Sequence, residues 1–161
     1  MRFYYLFTVL SIYITVGCTC QKDIADVEMK ASNTKIEGFL MEPTFNLVSS
    51  SSEIAVYSIE NSLIEGTTDE YSNKLVFQKK LEEETASNFV NVVLSDASYD
   101  WSLYKDQQSS FSPTKQIIVK STSGQLNLMY DPKTHLLGFI NLEGQQILPV
   151  TQTFHQLLIT L

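Results

Sequence analysis

The sequence predicts an α+β fold: one antiparallel sheet with a central helix and a C-terminal helix packed on one face. Three observations predict it. After residue 115, short apolar runs recur with connectors of about two to four residues, the spacing of hairpins in a meander. A 3.6-residue apolar stripe interrupts the strand-like runs near residue 85. A second such stripe closes the chain, with Phe154, Leu157, Leu158 and Leu161 at i, i+3, i+4 and i+7. Strands, helix, strands, helix, joined by short connections, favour a single sheet with helices on one side. A β-sandwich is the alternative, if residues 61–77 hide another strand.

The elements are expected in this order. Ile36–Met41 and Phe45–Val48 are short apolar runs separated by Glu42-Pro43-Thr44, and read as strands. Ile54–Glu60 alternates, with Ala55, Tyr57 and Ile59 on one face and Ile54, Val56 and Ser58 on the other. Residues 61–73 are polar and turn-like around Gly66. A helix is expected over Gln78–Leu94, with Leu81, Phe89 and Val93 on its apolar face and Asn73 or Ser72 as cap if it starts earlier. Glu82, Glu83 and Glu84 suit its positive N-terminal end; as consecutive residues they diverge, which does not make a cation site. Ser95–Pro113 is irregular. Gln116–Lys120, Gln125–Tyr130, Leu136–Leu142 and Gln146–Leu148 form the meander, and Thr151 is placed to cap the last helix.

Composition excludes several functions. The chain has 161 residues, 43% of them hydrophobic, enough for one domain with a real core. Its net charge is −7, and its single arginine is Arg2, so a nucleic-acid partner would be repelled. Both cysteines, Cys18 and Cys20, precede the domain, which leaves no internal disulfide and no thiolate zinc site. No phosphate-binding glycine loop and no metal-ligand spacing appears, and no cofactor is assigned.

The first 20 residues carry an address. Arg2 precedes an apolar stretch, Phe3–Val16, that ends at Gly17-Cys18. Its length suits a secretory leader and falls short of the roughly 20 residues a membrane span needs. Thr15-Val16-Gly17-Cys18 resembles the lipobox of bacterial lipoproteins, with Thr15 where Leu is usual. The resemblance covers only this leader. Size and composition assign residues 35–161 to one globular domain, and the resemblance implies a signal peptide at 1–17 followed by a lipid-attachment site and polar tether at 18–34. It also implies diacylglyceryl attachment at Cys18, with Cys20 as the alternative, on a cell-envelope protein of the outer membrane. The two or three acyl chains of such a cysteine would hold it there, since each buried CH₂ contributes about 0.8 kcal/mol. An ordinary secreted protein is the other reading of the leader.

The domain itself carries no catalytic signature. His135 and His155 are the only histidines, and no Gly-x-Ser-x-Gly elbow accompanies them. Asp96 and Asp100 lack the glycine and terminal glutamate of a calcium loop and suit a turn or helix end. Tyr99, Trp101, Tyr104 and Phe111 lie within an otherwise polar loop, where rigid rings with polar handles suit contact with a protein or glycan; the alternative is that they close the core. The expected function is therefore a lipid-anchored, non-enzymatic interaction domain. The alternatives are a small envelope hydrolase using a histidine and a structural accessory lipoprotein.

Overall fold

Strand alternation and helical stripes combine here into one six-stranded antiparallel sheet, ordered β2-β1-β3-β4-β5-β6, with helices against one face. The computed structural model describes residues 34–104, 111–141 and 144–161. Cys18 and Cys20, with the whole leader, lie outside the described residues. Residues Asn33–Leu161 form one compact unit. Its elements are α1 (Thr34–Ser49), β1 (Glu53–Leu63), β2 (Tyr71–Lys80), α2 (Glu83–Val93), a 3₁₀ turn (Asp96–Ser98), β3 (Lys115–Ser121), β4 (Gly124–Asp131), β5 (Leu136–Asn141), β6 (Gly144–Pro149) and α3 (Gln152–Thr160).

The meander forms as the turn residues dictate. β3 through β6 pair consecutively, in registers such as Ile117 with Leu128, Leu128 with Phe139, and Leu137 with Leu148. Gly124, at φ 151°, supports the tight return from β3 to β4. Thr151 precedes α3 as expected, but its hydroxyl donates to the Ser98 carbonyl (3.3 Å) rather than capping the helix.

Two regions differ from expectation. Ile36–Met41 and Phe45–Val48 are helical, not strands. Ile36, Leu40 and Val48 turn the same way into the core, a spacing that runs of four to six residues are too short to reveal. The helix breaks at Met41 (φ 59°), and Pro43 sits in the first turn of the restarted half, where its missing N–H leaves no helical bond unmade. The second difference is β2. Residues 71–80, expected as turn and helix start, form the partner of β1, so α2 begins only at Glu83 and Ser72 and Asn73 cap nothing. The extra strand extends the one sheet instead of building a second.

Register decides which face each side chain takes. Val56, Ile117, Leu128 and Phe139 line up in one row, and Ile54, Val119 and Leu126 in the next. All seven are buried beneath the helices, in one cluster with Ile36, Phe89 and Phe154. The intervening residues form the other face.

Candidate functional site

The four rings of the 99–111 segment do not share a surface. Tyr99 is 3% exposed, and its hydroxyl donates to the Val93 carbonyl at 2.6 Å. Burial pushes that hydroxyl well above its ordinary pKa, and the ring packs edge-on to Phe154. Tyr99 is therefore core. Trp101 is half-buried, with Nε1 donating to the Asp96 carbonyl (2.9 Å), and Tyr104 stays exposed, edge-on to Phe39. Phe111 lies across the sheet from these three. A Cβ on Gly138 would come within 3.0 Å of its Cζ, so the glycine leaves the space the ring occupies.

The two acids of this segment have structural partners. Asp96 accepts from the backbone N–H of Ile36 (2.8 Å) and Lys35 (3.4 Å), capping α1 from 60 residues away. Asp100 accepts from the N–H and hydroxyl of Ser102, closing a local turn.

The histidines come together, which their spacing did not announce. His135, at φ 56° after the β4–β5 turn, stacks on His155 of α3, with ring centroids 3.9 Å apart. Tyr130 hydrogen-bonds His155 Nδ1. Burial, with the neighbouring Asp131 carboxylate, pushes the tyrosine hydroxyl up to about 12, so it stays protonated beside the ring. Burial and the His135 ring both hold His155 below its ordinary value. No serine, threonine or cysteine among the described residues is hydrogen-bonded to either ring. The pair instead joins α3 to the sheet, beside Lys115, whose ammonium donates to the Leu158 carbonyl (2.6 Å) near the helix C-terminus.

The feature that sequence reasoning missed is the open face of the sheet. The register places Tyr57 beside Phe77, Ile59 beside Leu75 and Leu63 beside Tyr71 on that face. Tyr71 is 64% exposed, Phe77 57%, Leu63 48% and Leu75 45%. Ile118, Met129, Ile140 and Ile147 continue the face across β3 to β6, each half-buried. Gln116 and Gln125 both donate to the Asn127 side chain between them (3.1 and 3.0 Å).

Charge is confined to the margins. Glu53 binds Lys80 and Lys120, each at 2.9 Å, at one corner, and the two lysines hold its carboxyl down at about 2. Asp131 lies at the opposite end, 1% exposed; burial opposes its ionisation, but backbone hydrogen bonds from Ser112 and Lys133 help hold its pKa below the ordinary value. Between these ends the strand residues on this face are uncharged. Alternation in β1 was the available signal: Tyr57 and Ile59 oppose Ile54 and Val56, so that strand is apolar on both sides.

A polar groove of about 630 Å³ also runs between β1 and α2, lined by Ser51, Glu53, Lys80, Glu83 and Ser87 among others. Its charged lining is the satisfied Glu53 corner together with Glu82 and Glu83 at the start of α2. Among the described residues no helix is long and apolar enough to cross a membrane, and no three His, Cys, Asp or Glu side chains are grouped to hold a metal. Comparison with protein-family models, curated proteins and solved structures finds no match.

Proposed function

We propose that this protein is a lipid-anchored component of the bacterial cell envelope whose domain is a non-enzymatic interaction module, with the open sheet face as its contact surface. One observation carries the second half of this reading. A chain with net charge −7 exposes Tyr71, Leu75 and Phe77 on a sheet face whose described strand residues are uncharged between its margins. Large exposed apolar patches mark interaction sites, and depletion of charge distinguishes the core of such sites from ordinary surface. A protein partner fits better than a glycan, because the outer part of the face offers branched aliphatic side chains beside the rings. Trp101 and Tyr104 lie on the helix-bearing side and are not part of it.

The anchor rests on Gly17-Cys18 and the apolar leader before it. It is tested by feeding cells a clickable palmitate analogue. The parent chain and Cys20→Ala should take the label and Cys18→Ala should not; an unlabelled parent would remove the anchor. The contact surface is tested by a photoreactive residue in place of Phe77 in the same cells. A protein adduct is expected there and not from the same residue at Asn91 on α2. Equal yields from both positions would overturn the assignment of the face.

A further inference from the structure

We infer that the occupant of the open face is a second copy of this chain, packed sheet against sheet about a two-fold axis. The inference rests on the open face being the contact surface, and three properties of that face select a copy as its partner.

The first is the chemistry of its polar groups. An isologous interface brings the same patch to both sides, so each group must complement itself. Gln116, Asn127 and Tyr57 do so, since an amide or a phenol both donates and accepts. A face studded with lysine or carboxylate would repel its own image, and among the described strand residues this one carries neither between its ends.

The second is the placement of charge at those ends. The β1–β2 hairpin extends past β3, which begins opposite Ser58. The far turn of this arm carries Glu65, Asp69 and Glu70, while the near corner pairs one glutamate, Glu53, with Lys80 and Lys120. The arm is therefore acidic at its tip, and the corner has one lysine in excess. A two-fold axis running across the strands turns the acidic tip of each copy toward the lysine-rich corner of the other. An axis along the strands would instead lay arm over β6. The charge pattern favours the first.

The third is size. Six strands about 4.8 Å apart and about 20 Å long span roughly 600 Å² of face per copy, with Phe111 seated over Gly138 as part of that surface. Burying it on both copies removes on the order of 1,200 Å² from water, which reaches the range of stable interfaces. Two sheets packed in this way sit about 10 Å apart, with side chains interdigitating as in a β-sandwich.

The test is the mass of the full-length lipidated protein in detergent, by sedimentation or native mass spectrometry. The parent should be a dimer at tens of micromolar. Ile118→Lys places like charges face to face and should weaken association by about a hundredfold or more. Gln116→Lys exchanges one polar side chain for another and should do the same without removing apolar packing. Ser87→Lys on α2 should leave the dimer intact. Thermal melts of all four chains confirm that they fold. A monomeric parent, or a dimer that survives both open-face lysines, overturns self-pairing. The Phe77 photo-adduct separates the two readings: a product of this chain with itself supports the dimer. A product with a different protein ends the dimer and keeps the contact surface. No product ends both.

Discussion

The two faces of one sheet are built from alternate residues of the same strands, yet they differ in what covers them. On the helix side, Ile54, Val56, Ile117, Val119, Leu126 and Leu128 are buried under α1, α2 and α3. On the other side, Tyr57, Ile59, Ile118 and Met129 are half-exposed, and the edge residues Leu75 and Phe77 more so. Antiparallel sheets with one wet face normally alternate apolar and polar residues. Here the wet face keeps apolar side chains and drops charge, although strand formation alone demands neither. The difference separates two uses of one backbone: the first face holds the fold together, and the second is free to meet something else.

Paired truncations on the two faces should break the comparison most sharply. Phe89→Ala empties a fully buried position against Phe154 and is expected to cost about 3–5 kcal/mol. Phe77→Ser removes an equally large ring that is 57% exposed and should change stability by no more than about 0.5–1 kcal/mol. Urea unfolding followed by circular dichroism, at protein concentrations low enough that the parent is monomeric, gives both values. Comparable losses from the two variants would make the open face a second core, and its role as a contact surface would fall.

A smaller effect divides the aromatic segment in the same way. Tyr99→Phe keeps the ring and strips the hydroxyl that satisfies the Val93 carbonyl, so a buried acceptor loses its partner at about 1–3 kcal/mol. Tyr104→Phe, at an exposed ring, should shift the unfolding midpoint negligibly. If the two changes cost the same, Tyr99 is not the fixed point that its burial and hydrogen bond describe.

How much of this was legible varied with the range of the interactions. The meander from β3 to β6 and helix α3 rest on neighbouring turns and on regular spacing, and both were readable. The stretch from Ile36 to Val48 was not, because a kink at Met41 cuts its helical period into pieces too short to count. β2 was hidden by its polarity: Ser72, Asn73, Lys74, Gln78, Lys79 and Lys80 surround Leu75 and Phe77, as suits an edge strand rather than a central one. Asp96 as the cap of α1 depends on a residue 60 positions away. The same limit hid the site. Phe111 and Tyr99 are near in sequence and on opposite sides of the sheet. The open face gathers residues from all six strands and exists only once the register is known.

The histidine pair offers the smallest and most selective test, because it reports on the helix-bearing side alone. Burial and the His135 ring keep the folded-state pKa of His155 below the ordinary 6.5. Folding therefore favours the neutral ring. Its contribution is complete above pH 6.5 and is lost as pH falls from there toward the lower folded value. The melting temperature of the parent should fall between pH 7.5 and 5.5 more steeply than that of His155→Gln, on the order of a few degrees at most. Glu53 acts in a separate window, between its ordinary 4.5 and about 2, because its lowered pKa adds stability above that range and loses it within. Phe77→Ser, on the open face, should retain the full parental slope near pH 6. A slope that vanished in Phe77→Ser as well would mean that the two faces are coupled, and that α3 senses what the open face binds.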